Sequence, residues 1–264
     1  MIKKLSFIIT FTIFVLFFVS CTSYIAKQKK QEEAVRNLGE AYMSEGNYTF
    51  ALRELLKAEK IYHNDPFLHN DLGETYMAKN KKDLAINHFR KAIKLKSDYA
   101  PAINNLGVAY MAKGDWDTAI DCFKKVSKNL LYVTPHNPLS NMGLAYYNKK
   151  EYKLAEQSYL EALNLQPEFI KALWGLGRTY IKLNRLPDAV RTLEAGAAAY
   201  EKAIAKLKKD EKPSPQSSIV YFELAEAYRR SHLYTNAVEV YDRIVELFPN
   251  SKQAREAKQK AEEI

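Results

Sequence analysis

Cysteine and glycine are scarce in this sequence, and their scarcity excludes several kinds of protein. The 264 residues contain two cysteines, Cys21 and Cys122. Only Cys122 lies within sequence patterned for a folded core, so a disulfide framework is excluded. None of the nine glycines belongs to a loop that could cradle a phosphate. The chain is nevertheless 47% apolar, which is enough to bury a substantial core without covalent links.

Histidine is also scarce, and its positions match no metal motif. The five histidines are His63, His69, His88, His136 and His232. No two of them lie on one helix face with a carboxylate at a spacing typical of metal ligands. Cys122 has no His or Lys partner nearby in the sequence, so we predict a half-buried thiol and not a nucleophile. We expect a non-catalytic protein without cofactor, metal or small-molecule substrate; an enzyme whose site has no local motif is the alternative.

Lysine is abundant, but its distribution does not indicate nucleic-acid binding. The formal net charge is +9, and the lysines are spread along every helix-like segment instead of forming one patch. The sequence contains no alternation of aromatic and basic residues and no nucleic-acid recognition motif. We therefore expect no nucleic-acid partner.

The longest apolar run lies at the N-terminus. MIKK precedes LSFIITFTIFVLFFV, and Ser20 and Cys21 follow, which is the order of a signal peptide and its cleavage site. FVSC resembles the lipobox of bacterial lipoproteins, and this resemblance implies a signal peptide over residues 1–20, lipidation of Cys21 and a tether over 21–31. By the sorting rule of such lipoproteins, Thr22 favours the outer membrane, with the protein facing the periplasm. Residues 5–26 carry no charge, so an uncleaved membrane anchor is the alternative.

Six similar segments follow the N-terminal region. NLGEAYMSEGNYTFAL, DLGETYMAKNKKDLAI and NLGVAYMAKGDWDTAI begin 34 residues apart, at 37, 71 and 105. NMGLAYYNKKEYKLAE, GLGRTYIKLNRLPDAV and ELAEAYRRSHLYTNAV continue the series. On this spacing and these residue types, the chain is identified as an array of tetratricopeptide repeats. In each repeat, small residues such as Gly107 and Ala119 let two helices approach, while Tyr110 and Phe123 fill the space beside them.

The resemblance implies an all-α fold, a tetratricopeptide-repeat superhelix or helix-turn-helix solenoid, because one helix pair cannot cover its own apolar face. We expect the fifth repeat to have an extended second helix and a linker, and residues 251–264 to form a capping helix. The six repeats are predicted at residues 32–65, 66–99, 100–135, 136–169, 170–217 and 218–250.

Binding is expected on the concave side of the superhelix. The first of the two helices in each repeat should line this side with the residues that are not used in packing. Methionines there would adapt to a partner helix or an extended peptide, and asparagine amides could hold a peptide backbone. Trp174 is the expected energetic anchor, with Tyr147 beside it. The alternative is that the methionines fill contacts between adjacent first helices. The predicted partner-binding groove comprises Met43, Met77, Met111, Asn70, Asn104, Val108, Leu144, Tyr147, Trp174, Arg178 and Ile181.

One known use of such repeats, the capture of a chaperone's C-terminal carboxylate by Lys and Asn, does not match this sequence. Arg36 and Glu40 occupy the corresponding first-repeat positions, and Glu40 would repel a carboxylate. A lipobox-like cysteine followed by six repeats resembles the pilotin lipoproteins of type IV pilus systems. That resemblance implies a scaffold that binds secretin subunits and assists their assembly at the outer membrane. The alternative is an outer-membrane lipoprotein adaptor that gathers peptidoglycan enzymes.

Overall fold

The computed structural model describes the backbone of residues 2–129, 133–206 and 218–264, and their side chains from residue 23 onward. These residues form helices and no strand, which confirms the predicted all-α helix-turn-helix class. The helices are α1 (Ile2–Ser44), α2 (Tyr48–Ile61), α3 (Pro66–Ala78), α4 (Lys82–Leu95), α5 (Ala100–Lys113), α6 (Trp116–Ser127), α7 (His136–Asn148), α8 (Tyr152–Leu165), α9 (Ile170–Lys182), α10 (Leu186–Ile204), α11 (Ser218–Arg230), α12 (Tyr234–Leu247) and α13 (Lys252–Glu262).

The predicted signal peptide and Cys21 lie outside the residues whose side chains are described, as does most of the predicted linker after α10. Within the described part of the chain, no helix combines the length and apolar character needed to cross a bilayer. The helices fall into two compact units, unit 1 (Met1–Lys113) and unit 2 (Gly114–Ile264).

Unit 1 is built from antiparallel helix pairs. α1 packs against α2, α3 packs against α4, and α5 packs against α4 and α3. Leu55, Leu68, Leu72 and Phe89 are fully buried between these helices, because the repeat places large apolar residues on the faces that meet. α3 begins at a proline, and the carboxylate of Asp65 accepts a hydrogen bond from the Phe67 amide at 2.8 Å, which caps the helix.

Unit 2 repeats the pairing, and one tyrosine shows why its small residues matter. α7 packs on α8, α9 on α10, and α11 on α12. Tyr159 of α8 is 2% exposed, and its ring lies against two glycines. A Cβ atom at Gly143 of α7 would come within 2.8 Å of this ring, and one at Gly175 of α9 within 2.3 Å. Both first helices can therefore approach α8 only because these positions carry no side chain.

The ends of unit 2 differ from a regular repeat. α10 is 19 residues long, whereas α8 and α12 have 14. α13 follows α12 and packs against it and α11, burying Ala254 and Ala257. The hydroxyl of Ser251 accepts a hydrogen bond from the Ala254 amide at 2.9 Å and so caps α13.

Turns between consecutive helices use a residue with positive φ. Gly114 has φ +81°, and the carboxylate of Asp115 then caps α6 by accepting a hydrogen bond from the Thr118 amide at 3.2 Å. Lys150 occupies the equivalent turn between α7 and α8 with φ 64°, a conformation that costs about 1 kcal/mol or more for a residue with a side chain.

Candidate partner-binding site

Three first helices of unit 2 meet around one arginine. α9 contacts both α7 and α11, and Arg178 lies on α9. Its guanidinium carbon is 4.7 Å from the ring centroid of Tyr147 on α7, and also 4.7 Å from that of Trp174. Its Nε is 3.1 Å from Oε1 of Glu223 on α11. Cation–π and ionic contacts therefore connect all three first helices on the face where the sequence predicted a groove.

A cleft of about 220 Å³ opens beside this arginine. Pockets that hold drug-sized molecules are typically about 300–1,000 Å³, so this volume suits one or two side chains of a protein partner better than a small-molecule substrate. We call it the unit 2 cleft. Its lining residues are Tyr147, Arg178, Ile181, Lys182, Glu223, Glu226 and Arg230.

The unit 2 cleft has charges of both signs. Burial raises the pKa of the Glu223 carboxyl, although the nearby Arg178 opposes this shift. Glu226 accepts hydrogen bonds from Arg229 at 2.8 Å and from the Tyr241 hydroxyl at 2.5 Å, so its charge is largely compensated within the chain. Lys182 and Arg230 are exposed. A client segment with an acidic residue beside its apolar side chains would therefore complement the cleft.

Trp174 carries a buried polar group that the described part of the chain leaves without a hydrogen bond. Its indole Nε1 is buried and has no acceptor among the described residues. An unsatisfied buried donor costs about 1–3 kcal/mol, so a partner that supplies an acceptor to this N–H would gain affinity. Leu144 on α7 is partly buried, and Ile181 on α9 is 9% exposed. Of the residues predicted in unit 2, the structure therefore brings Tyr147, Trp174 and Arg178 into one cluster, with Ile181 at the cleft.

In unit 1 the three methionines predicted to line the groove have different surroundings. Met43 packs against the buried cluster of Leu55, Ala58, Leu68 and Leu72, so this methionine fills a contact between helices, as the packing alternative requires. Met77 and Met111 are partly buried, as are Asn104 and Val108.

The amide of Asn70 is engaged within unit 1. Asn70 is 5% exposed, its Nδ2 donates to Oε1 of Glu74 at 2.6 Å, and its Oδ1 accepts from Nδ2 of Asn105 at 3.1 Å. These two hydrogen bonds leave one N–H and one oxygen lone pair of the amide for a peptide backbone, and the side chain is buried. The hydrogen bonds to Glu74 and Asn105 therefore compete with the predicted role of Asn70 in binding a peptide backbone.

Arg36, at the start of unit 1, is surrounded by carboxylates. It pairs with Glu40, lies 3.3 Å from Asp71 and 3.7 Å from Asp65, and lies 3.8 Å from Glu32. Burial raises the pKa of Glu32 to about 8, and the charge of Asp65 adds to this shift. Glu32 is therefore mainly uncharged near pH 7, and the remaining carboxylates around Arg36, among them Glu40, would repel a client carboxylate.

Sequence reasoning missed two sets of residues. Lys182, Glu223 and Arg230 line the unit 2 cleft, and only their helical spacing from predicted neighbours could have indicated them. The second set is Glu59 on α2, His69 on α3 and His88 on α4, whose potential metal-ligand atoms all lie within 4.8 Å of one another. No motif connects them, because each comes from a different helix.

Paired helices, the repeated small residues and a first-helix cleft define a tetratricopeptide-repeat protein. Family models agree: one described as TPR repeat matches residues 73–114, and three described as tetratricopeptide repeat match residues 102–130, 137–169 and 175–252. The chain belongs to this family.

Solved structures with similar folds include two pilus proteins. PilW, described as a widely conserved type IV pilus biogenesis factor, superposes with a TM-score of 0.71 and 22% identity, covering 85% of this chain and 96% of PilW. PilF of Pseudomonas aeruginosa gives a TM-score of 0.69 and 19% identity, covering 89% of this chain and 99% of PilF. YrrB, a TPR protein with an unusual peptide-binding site, gives 0.52 and 18%, covering 78% and 97%. At these identities the likeness shows the fold alone.

Among curated proteins, the chain is similar to the human protein O-mannosyl-transferase TMTC3. The two are 29% identical over 116 residues, which is 44% of this chain and 13% of the human protein. The mouse counterpart matches to the same extent. The similarity therefore covers only a small part of the transferase.

Proposed function

We propose that this protein is a non-catalytic, membrane-anchored scaffold that captures a secretin subunit and assists type IV pilus assembly. The unit 2 cleft carries the proposal, because Tyr147 and Arg178 line it and Trp174 lies against the Arg178 guanidinium. Aromatic residues and arginine are the side chains that most often dominate binding energy at protein interfaces. The fold shared with PilW, a type IV pilus biogenesis factor, supports the biological context.

The volume and the charges of the unit 2 cleft indicate which kind of client segment it can bind. A volume of about 220 Å³ accepts one or two apolar side chains from a helix or an extended peptide. Lys182 and Arg230 at the exposed edge favour a client segment that places a carboxylate next to those side chains. Rim charges of this kind mainly increase the association rate and the selectivity, whereas the buried aromatic contacts slow dissociation.

Site-specific photo-crosslinking in cells of the native host tests the client and the surface together. A photoreactive phenylalanine analogue at Lys182, which lines the cleft, should crosslink to secretin subunits. The same analogue at Leu160, which is 46% exposed on α8, is the matched control and should not. Crosslinks to secretin at Leu160 and not at Lys182 would refute the assigned surface, while peptidoglycan enzymes crosslinked at Lys182 would identify the adaptor alternative.

The proposal also places the protein at the outer membrane, facing the periplasm, through lipid on Cys21. Several acyl chains on one cysteine give stable anchoring, whereas a single chain is marginal. Labelling with radioactive palmitate should occur in the native protein and disappear in Cys21→Ala. Equal labelling of both proteins would contradict the lipid anchor, and a protein that stays in the membrane without label would support the uncleaved anchor.

A further inference from the structure

Two histidines and a glutamate meet in unit 1, at the junction of three helices. Nδ1 of His69 on α3 is 3.0 Å from Nδ1 of His88 on α4 and 3.9 Å from Oε1 of Glu59 on α2. His69 is fully buried, while 26% of the Glu59 side chain is exposed. The three groups thus face a common point that can be reached from solvent on the glutamate side.

The hydrogen bonds around His69 orient its lone pair toward this point. Nε2 of His69 is 2.8 Å from the carbonyl oxygen of His63. A carbonyl can only accept, so Nε2 carries the proton and Nδ1 presents a lone pair to His88 and Glu59. Metal-binding histidines almost always donate their second ring N–H to a carboxylate, a backbone carbonyl or water, which fixes the orientation of the ring.

His88 is positioned by its neighbours as well. Its ring stacks on Tyr76 with centroids 5.3 Å apart. Burial lowers the pKa of both imidazoles, that of His88 to about 4 with a further contribution from His69. Both rings are therefore neutral near pH 7, which is the form that binds metals.

We propose that Glu59, His69 and His88 form a binding site for one divalent transition-metal ion of the zinc class. Two imidazoles and one carboxylate with a fourth position for water is a donor set that Zn²⁺ accepts in tetrahedral geometry. Ligand atoms around tetrahedral Zn²⁺ are separated by about 3.3 Å, given bonds of about 2.0 Å. Two of the separations are 3.0 Å and 3.9 Å, and the third, between Glu59 and His88, is no more than 4.8 Å. Binding therefore requires the two imidazoles to turn so that their lone pairs converge, and the Glu59 carboxylate to move toward them.

The ion would connect the first two repeats. Glu59 belongs to α2, while His69 and His88 belong to α3 and α4. Lys91 opposes the ion, because its Nζ is 3.4 Å from Oε1 of Glu59 and places a positive charge beside the site. Without metal, His88 donates its Nδ1 proton to Nδ1 of His69; binding requires the other tautomer of His88, with the proton on Nε2.

Calorimetric titration of the full chain with Zn²⁺, after treatment with a chelator, tests the proposal. We expect one Zn²⁺ per chain, an increase in Tm with Zn²⁺ concentration, and visible d–d absorption of a tetrahedral Co²⁺ site. Loss of an outer contact commonly weakens metal binding about 10–100-fold, so loss of a ligand in Glu59→Gln or His88→Gln should weaken it at least about 100-fold.

Two matched variants separate this site from binding at surface histidines. His63→Ala removes an exposed imidazole but keeps the backbone carbonyl, and should bind Zn²⁺ as the native chain does. Lys91→Met removes the opposing charge and should tighten binding severalfold. The proposal is overturned if the native chain binds no Zn²⁺, if Glu59→Gln and His88→Gln both retain native affinity, or if His63→Ala abolishes binding. Circular dichroism of each variant confirms that a loss of binding is not a loss of fold.

Discussion

The close approach of α9 to α8 gives a prediction in which two glycine-to-alanine changes have opposite effects. A Cβ atom at Gly175 would lie 2.3 Å from Cζ of Tyr159, whereas one at Gly196 would lie 3.4 Å from its nearest neighbours, Leu173 and Val220. Alanine in a helix interior gains about 1 kcal/mol over glycine. Overpacking a core costs about 1–3 kcal/mol, and more where the neighbour cannot move.

Gly175→Ala should therefore lower the free energy of unfolding of unit 2 by about 1–2 kcal/mol, because Tyr159 is also enclosed by Gly143 and cannot rotate away. Gly196→Ala should raise it by about 0.5–1 kcal/mol, since its contacts are ordinary. The sequence contains two tryptophans, Trp116 and Trp174, and both lie in unit 2. Tryptophan fluorescence during urea unfolding therefore follows this unit. If Gly175→Ala is as stable as Gly196→Ala, the described packing of Tyr159 is wrong.

Two further stability predictions follow from the backbone and from buried histidines. Lys150→Gly should stabilise the protein by about 1 kcal/mol, because φ is 64° at this position and glycine adopts positive φ without strain. Gly114→Ala should destabilise the protein by a similar amount, because φ is 81° there. Urea unfolding that shows Gly114→Ala to be more stable than Lys150→Gly would contradict both predictions. In the metal-free chain the folded pKa of His88, about 4, is below its ordinary value of 6.5, so stability that is present above about pH 6.5 is lost as pH falls toward about 4. The loss is about 2 kcal/mol after allowance for solvent screening of this partly buried side chain. The free energy of unfolding of His88→Gln should depend less on pH in that window, and an unchanged pH dependence would refute the assignment.

The repeat framework could be predicted from the sequence because its signals are local. The spacing of Leu106, Gly107 and Tyr110 recurs in the repeats, and the turn at Gly114 and Asp115 uses residues with well-defined backbone preferences. The site could be predicted only in part. Arg178, Tyr147 and Trp174 were placed on the first helices by register, but their mutual stacking depends on how neighbouring helices approach.

Features that depend on contacts between repeats could not be predicted. Met43 occupies the same register as Met111, yet the structure packs Met43 against the core of unit 1. The Asn70 amide is engaged by Asn105, 35 residues away. Glu59, His69 and His88 come from three helices, so the spacing of ligands along one helix carried no signal for them. In each case the missing information was the relative position of helices, which one repeat's pattern does not contain.

The central claim, that the unit 2 cleft binds the client, is tested most directly by an affinity measurement. Binding of a purified secretin subunit to the full chain should weaken by at least about tenfold in Trp174→Ala, because buried aromatic anchors contribute about 2 kcal/mol or more. Leu160→Ala, on the exposed face of α8, should bind like the native chain, and fluorescence of Trp116 reports that unit 2 remains folded. Equal affinities of the native chain and a folded Trp174→Ala variant would contradict the claim.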